Sequence, residues 1–126
     1  MQLHAVTIVV PDYDAGIDFY VGKLGFTLVE DTRLSEEKRW VLVAPPGGDA
    51  ALLLAKGVGA AQEAAIGNQT GGRVGFFLKV EDFDATFARM TAAGVTFEEA
   101  PREEIYGKVA VFRDPFGNRW DLLSFR

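Results

Sequence analysis

Apolar and polar residues recur with two periods along the chain, and the same succession of periods occurs twice. Leu3 to Val10 is a run of mostly β-branched and apolar residues, which predicts a buried strand. Pro11 ends the run, and Asp12 is suited to cap a helix that follows. Over Tyr13 to Lys23 and just beyond, apolar residues then fall at i, i+3, i+4 and i+7, which predicts one face of a helix: Ile17, Tyr20, Val21 and Leu24.

The rest of the first half returns to strand patterns. Gly25 is placed to close the helix, and a second strand begins at Phe26. Trp40 to Ala44 and Ala50 to Ala55 follow as two further strands, separated by a Pro- and Gly-rich turn. The first half therefore predicts the order β-α-β-β-β.

The second half repeats this order. A strand over Arg73 to Val80 leads to Asp82 as a cap, and a helix follows with its apolar face at Phe83, Phe87 and Met90. The final strands are predicted at the ranges Val95 to Glu98, Lys108 to Arg113 and Arg119 to Phe125.

The two halves also match residue by residue. Val10-Pro11-Asp12-Tyr13-Asp14-Ala15 is matched by Val80-Glu81-Asp82-Phe83-Asp84-Ala85, about seventy residues later. A repeat of this length is too long for a solenoid unit and too short for an independent domain. We therefore expect residues 1–126 to form a single domain, with module one at about 1–56, a linker at about 57–72 and module two at about 73–126.

The linker itself is rich in Gly and Ala. A helical turn is expected around Ala60 to Ala65. Gly57-Val58-Gly59 resembles the beginning of a dinucleotide-binding loop, but the sixth position of that pattern is Gln62 and no acidic residue follows at the expected distance. We therefore do not predict a dinucleotide site there.

The amino-acid composition excludes several classes of binding partner and of metal site. The 13 basic and 18 acidic residues give a formal charge of −5, without a basic patch, which argues against nucleic acid and anionic membranes as partners. No cysteine is present, so disulfides and Cys-ligated zinc are excluded. The N-terminal residues lack a basic region followed by a long apolar run, and we expect a cytoplasmic protein.

The motifs together resemble those of a known family. Val9-Val10-Pro11-Asp12, Phe19-Tyr20, Leu24-Gly25-Phe26 and the closing Asp114-Pro115-Phe116-Gly117-Asn118 look like the vicinal oxygen chelate superfamily, and the resemblance covers essentially the whole chain. That superfamily includes glyoxalase I, extradiol dioxygenases, and fosfomycin and bleomycin resistance proteins. The resemblance implies an α+β fold, in which two tandem β-α-β-β-β modules form curved mixed sheets around a cavity. It also implies a homodimer.

The same resemblance implies four positions for metal ligands, commonly His, Glu, His and Glu in metal-dependent members. Carried over by spacing, these positions are Ala5, Ala51, Gly75 and Asp121. Alanine and glycine side chains have no donor atom, and one carboxylate does not replace a ligand set. We therefore predict neither a metal nor a cofactor, and we expect glyoxalase I and dioxygenase activity to be absent.

His4, the only histidine, is adjacent to the first of these positions. Moving it into the site would shift the first strand by one residue and exchange every side chain between the two faces of the sheet. We interpret His4 as a structural or surface residue.

Strand alternation predicts which side chains face the cavity. Of the candidate ligand-binding residues, those that alternation turns inward are Thr7, Leu53, Phe77, Lys79 and Asp121. The other two, Trp40 and Tyr106, stand at the start of strands, where they would stack on a planar ligand at the mouth of the cavity. Together these residues describe a mostly apolar pocket with a few polar groups, as is usual for small-molecule sites.

Asp121 is the residue for which we make the most specific functional prediction, and two interpretations of it remain open. It would serve as an anchor for a cationic or hydroxyl-bearing ligand, or as a general base if burial raises its pKa. Alternatively, it is a structural acceptor paired with a nearby cation such as Lys79 or Arg119.

Three functions follow from these observations. The first is a metal-independent small-molecule-binding protein of the glyoxalase and bleomycin resistance type, which sequesters a small organic or cationic compound. The second is an enzyme in which Asp121 or Tyr106 performs acid-base chemistry, and the third is a regulatory domain with a vestigial pocket. The catalytic residues are left unassigned by the sequence.

Overall fold

The computed structural model describes all residues from Met1 to Arg126, and the chain forms two compact units. Unit 1 is Met1–Gln69 and unit 2 is Thr70–Arg126. The boundary lies inside the segment that the sequence predicts as a linker. The prediction that the two units form a single domain remains a proposal.

Unit 1 contains a four-stranded mixed sheet in the order β1-β4-β3-β2, in which β1 and β4 are parallel and the other neighbours are antiparallel. The helical segments are α1 (Tyr13–Ile17), a π-helical continuation (Asp18–Lys23) and α2 (Ala60–Ala65). The strands are β1 (Ala5–Val10), β2 (Thr27–Arg33), β3 (Arg39–Ala44) and β4 (Ala51–Lys56).

Unit 2 repeats the arrangement with a five-stranded sheet. Its path is β5-β9-β8-β6, β7 pairs with β8, and the parallel pair is β5 with β9. One helix, α3 (Phe83–Ala92), connects the first two strands. The strands are β5 (Phe76–Lys79), β6 (Thr96–Phe97), β7 (Arg102–Glu104), β8 (Gly107–Arg113) and β9 (Arg119–Phe125).

The predicted α+β class with two tandem modules is therefore confirmed. Asp12 and Asp82 cap α1 and α3 as expected, since each carboxylate accepts a hydrogen bond from the backbone N–H three residues later, at Ala15 and Ala85. The helical turn at Ala60–Ala65 is also present. β7 was not predicted, because its Arg-Glu-Glu sequence carries none of the apolar alternation that marks a strand.

The first helix differs from its prediction as a single α-helix over Tyr13 to Lys23. It is α-helical only to Ile17 and then widens to a π-helix, with a backbone hydrogen bond from Leu24 N to Phe19 O of 2.8 Å. The wider turn buries both Phe19 and Tyr20 against the sheet. Their rings meet edge to face at 4.9 Å, so the change of helix type follows from packing two adjacent aromatic residues.

One face of each sheet packs on the helices and forms the core. In unit 1 this face carries Ile8, Val10 and Leu54, all fully buried. In unit 2 it carries Phe112 and Trp120, whose rings stack at 5.6 Å. By strand alternation, the opposite face carries Thr7 and Leu53 in unit 1 and Phe77, Lys79 and Asp121 in unit 2.

The segment after α2 is held against the edge of β1 by one side chain. Gln69 Nε2 donates to the carbonyl of Thr7, and Gln69 Oε1 accepts from the N–H of Val9, both at 2.9 Å. The side-chain amide thus copies the hydrogen-bonding pattern of a neighbouring strand, and it satisfies backbone groups that an edge strand leaves open.

None of the helices is long and apolar enough to cross a membrane.

Candidate functional site

Two of the four positions that the resemblance assigns to metal ligands lie side by side in unit 1. Ala5 of β1 and Ala51 of β4 are direct partners in the parallel register. The strand geometry that would bring two ligands together is therefore retained, while both side chains are methyl groups without a donor atom.

The corresponding place in unit 2 is filled by another side chain. A Cβ at Gly75 would lie 2.4 Å from Thr70 Cγ2, so the space that a ligand side chain would need at this position is occupied. Thr70 is fixed there, because its hydroxyl donates to the carbonyl of Arg73 at 2.7 Å. Asp121 of β9 is paired with Phe77 of β5 and not with Gly75.

These residues do not fit a metal centre of the kind that the resemblance implies. The structure contains no group of three or more His, Cys, Asp or Glu side chains that could hold a metal ion. His4 lies exposed just before β1, and its carbonyl accepts a hydrogen bond from the N–H of Ala51 at 3.4 Å.

Asp121 is the unusual polar residue of the sheet in unit 2. Its side chain is half-buried, and its Oδ1 is fully buried without a hydrogen-bond partner. Burial raises the pKa of the Asp121 carboxyl above its ordinary value of 3.8; the positive charge of Arg102 opposes this increase, Glu99 adds to it, and Arg119 opposes it. A buried carboxylate without a partner is costly, because it has lost its water without gaining another donor.

The cations considered as partners of Asp121 contact other residues. Arg119 forms a two-point contact with Glu98, with Nε and Nη2 at 2.8 and 3.0 Å from the carboxylate oxygens. Arg102 pairs with Glu99 and Glu104. The Lys79 ammonium lies 5.9 Å from the centre of the Phe125 ring. The structural alternative, in which Lys79 or Arg119 satisfies Asp121, is therefore not what the structure contains.

Exposed aromatic side chains share this part of unit 2. Phe77, directly opposite Asp121 in the sheet register, is 64% exposed, and Phe125 is 57% exposed. Tyr106 lies with its ring 6.2 Å from that of Phe125, in an edge-to-face arrangement. Unit 2 thus presents an unpartnered carboxylate together with open aromatic surface.

Unit 1 contains a pocket of its own, with a volume of about 540 Å³. It lies where β3 begins and β4 ends, next to the start of α1 and the start of the linker. Its lining includes two of the residues predicted for the cavity, Trp40 and Leu53, together with Tyr13, Ser35, Glu37, Lys38, Arg39, Leu54, Ala55, Lys56, Val58 and Gln62.

Arg39 organises one side of this pocket. Its guanidinium donates to Asp14 at 2.9 Å and to Asp31 at 2.7 and 3.1 Å. It also lies over the Tyr13 ring, 5.3 Å from the centroid. The hydrogen bonds with Asp31 and Asp14 raise the pKa of Arg39, and the one with Arg39 lowers that of Asp31. Arg39 is therefore a structural cation that holds β3, β2 and α1 together.

The seven predicted binding residues divide between the two units. Trp40 and Leu53 line the pocket of unit 1, and Thr7 is the β1 partner of Leu53. Phe77, Lys79 and Asp121 lie in the sheet of unit 2, and Tyr106 precedes β8. That all seven line one cavity remains a prediction. Sequence reasoning missed Tyr13, Lys38 and Lys56 as pocket residues, because a helix start, a turn and a strand end give no periodic signal of a shared site.

Comparison with known proteins agrees with this architecture. Residues 2–122 match the model of the Glyoxalase/Bleomycin resistance protein/Dioxygenase superfamily. An uncharacterized protein of Shewanella frigidimarina is 52% identical over 121 residues, which cover 94% of this chain and 90% of that protein.

Solved structures extend the comparison. The crystal structure of UcmS2 is similar with a TM-score of 0.84 and 33% identity, over 98% of this chain and 97% of the other. TnmS3, an antibiotic binding protein from Streptomyces sp. CB03234, is similar with a TM-score of 0.80 and 30% identity, over 100% of this chain and 97% of the other. The repeated modules, the family match over nearly the whole chain and these likenesses lead to one conclusion: the chain belongs to the Glyoxalase/Bleomycin resistance protein/Dioxygenase superfamily.

Proposed function

We propose that this protein binds a small organic molecule and that Asp121 is the anchor for a cationic or hydroxyl-bearing group of that molecule. The observation that carries the proposal is the buried Oδ1 of Asp121, which has no hydrogen-bond partner in the folded chain. Native proteins satisfy nearly all buried polar atoms, so an unsatisfied one calls for an explanation, and a donor group of a bound ligand is the explanation that we propose.

The surroundings of Asp121 support an organic ligand. Phe77 and Phe125 leave aromatic surface open in the same sheet, and a planar molecule would cover that surface while its donor group meets the carboxylate. Burial of aromatic surface supplies most of the affinity in such sites, and one charged group fixes the orientation.

Similarity to TnmS3 supports the same class of function. That relative is an antibiotic binding protein, and it shares the fold over nearly the full length of both chains. We infer that the present protein also binds a small organic molecule, and we propose that it sequesters that molecule.

We further propose that binding is independent of a metal ion. The side chains at three of the four positions implied by the resemblance have no donor atom, and Thr70 occupies the space next to Gly75. Glyoxalase I activity, assayed with the hemithioacetal substrate and added nickel or zinc, is expected to be absent.

A thermal-shift screen of planar cationic antibiotics and metabolites tests the proposal. Binding to the folded state raises the melting temperature, and a ligand at about 100 times its Kd adds about 2.7 kcal/mol of stability. Asp121→Asn should abolish most of the shift caused by a hit. Asp49→Asn is the matched control, since Asp49 is exposed and the substitution removes the same charge.

Two results would overturn the anchor role. One is a ligand that binds the wild-type protein and Asp121→Asn with equal affinity. The other is a screen in which no cationic or hydroxyl-bearing compound shifts the melting temperature, which would favour a regulatory domain with a vestigial pocket.

An acid-base enzyme is a second candidate, and the raised pKa of Asp121 favours it. A carboxyl whose pKa moves toward neutrality is better matched to proton transfer than an ordinary one. Product analysis after prolonged incubation with each thermal-shift hit distinguishes the two functions: turnover that is lost in Asp121→Asn supports the enzyme, and unchanged compound supports the binding protein.

We also propose a homodimer. Apolar side chains stand largely exposed in unit 2, including Ile105 at 95%, and such surface commonly becomes buried in an assembly. Sedimentation velocity checks the state: a single species with the mass of one chain would contradict the proposal.

A further inference from the structure

We propose that the pocket of unit 1 is a second binding site, separate from Asp121, and that it takes a planar aromatic anion such as an aromatic carboxylate. The volume of about 540 Å³ lies within the range of about 300–1,000 Å³ that small-molecule pockets occupy. All of its lining residues belong to unit 1.

Trp40 provides the aromatic surface of this site. It is half-buried and lines the pocket together with Ala55, which follows the paired residues of β4. The small side chain of Ala55 leaves room next to the indole, and a flat ring system would stack there.

Four polar side chains of the lining carry hydrogen-bond donors without partners. The Trp40 indole N–H, the Tyr13 hydroxyl and the Lys38 and Lys56 ammonium groups form no hydrogen bond or ion pair. Gln62 Oε1 accepts a hydrogen bond from the N–H of Val58 at 2.9 Å, and the side-chain N–H groups of Gln62 add two further donors. A donor-rich lining is complementary to a ligand with several acceptor oxygens.

The charged residues of the lining also favour an anionic ligand. The two ammonium groups have no counterion, whereas the third cation of the lining, Arg39, is paired with two carboxylates, Asp14 and Asp31. Glu37 is the single acidic residue of the lining and lies in the exposed turn before β3. The pocket therefore favours a carboxylate over an amine on the same ring system, because ammonium groups attract the one and repel the other.

The two tryptophans allow a direct test with 2-naphthoate as the probe. Trp40 and Trp120 each give an indole N–H signal in a ¹H–¹⁵N spectrum, and Trp40→Phe identifies which signal belongs to Trp40. Trp120 is 3% exposed and stacked between Phe76 and Phe112, so it serves as an internal reference. 2-Naphthoate should shift the Trp40 signal and leave the Trp120 signal in place, and 2-naphthylmethylamine should need a higher concentration to shift the Trp40 signal.

Two substitutions with opposite expected effects sharpen the test. Lys56→Gln should weaken 2-naphthoate binding by roughly tenfold, the usual consequence of losing one charged hydrogen bond, whereas Glu37→Gln should tighten binding. Arg73→Gln is the charge-matched control, since Arg73 is exposed in unit 2 and its side chain has no partner. Both lining residues are exposed, and their variants should melt as the wild type does.

Asp121→Asn separates this proposal from the preceding one, because it should leave 2-naphthoate binding unchanged. The second site would be overturned if 2-naphthoate fails to shift the Trp40 signal, if the amine shifts that signal at as low a concentration as the carboxylate does, or if Lys56→Gln behaves as Arg73→Gln does.

Discussion

At the scale of single residues, Asp121 and Glu98 are carboxylates in opposite situations. Asp121 has a buried oxygen without a partner and a raised pKa, whereas Glu98 accepts three hydrogen bonds from two arginines and has a lowered pKa. The first arrangement costs stability and suits binding, and the second stabilises the fold.

Asp121→Asn should therefore stabilise the protein without ligand, by about 1 kcal/mol. The pKa of Asp121 is raised in the folded state, so protonation of this carboxyl stabilises the folded wild-type protein. This contribution to the free energy of unfolding is fully present below about pH 3.8 and is lost as the pH rises through the raised pKa. Urea unfolding at pH 7 measures the difference against Asp49→Asn. An Asn variant less stable than the wild type would indicate that Asp121 has a structural partner.

The contribution of Glu98 to stability should depend on pH in the opposite sense. Hydrogen bonds from Arg119, and then from Arg113, lower the pKa of Glu98 from 4.5 to about 2. Its contribution to stability is present above pH 4.5 and is lost as the pH falls from 4.5 to about 2. Glu98→Gln should lower the melting temperature at pH 7 and have less effect near pH 2. Glu81→Gln, an exposed residue without contacts, is the control and should change neither value.

At the scale of elements, the strands and caps follow from local pattern, while the edges of the sheets depend on distant residues. Asp12 and Asp82 act within their own turns, so spacing alone reveals them. Gln69 acts on β1, sixty residues earlier in the chain, and no periodicity marks it.

Gln69→Ala should leave the edge of β1 without the two hydrogen bonds that the Gln69 side chain forms with it. Loss of both hydrogen bonds to the backbone of Thr7 and Val9 should reduce stability by about 1–2 kcal/mol. Amide hydrogen exchange at Val9 should become faster, since this N–H would face solvent. Gln2→Ala, near the exposed N-terminus, is the control; an unchanged exchange rate at Val9 would show that the contact contributes nothing in solution.

At the scale of the whole molecule, the duplicated architecture is retained and the ligand set that the resemblance implies is replaced. Ala5 and Ala51 still meet in register, and Thr70 has filled the space beside Gly75. The fold therefore does not depend on donor atoms at these positions, and its stability comes from the two helix-covered sheet faces.

Stability should accordingly be insensitive to chelation. Dialysis against EDTA should leave the melting temperature and the thermal shift of any ligand unchanged, since no cluster of three potential ligands is available to hold an ion. Calorimetric melting before and after dialysis checks this. A fall in the melting temperature that is restored by one equivalent of a divalent metal would contradict it.

The sequence by itself determined the order of strands and helices apart from β7, the caps of α1 and α3, the repeat of about seventy residues and the family resemblance. These features are encoded by neighbouring residues and by the periods of strand and helix, which depend only on local geometry. Only the tertiary structure decided that Arg119 pairs with Glu98 and leaves Asp121 without a partner. It also brought Tyr13, Trp40 and Lys56 to one pocket. Ion pairs and the lining of a pocket depend on which side chains, distant in the sequence, come within a few ångströms of one another in space. The local pattern of apolar and polar residues does not predict those contacts.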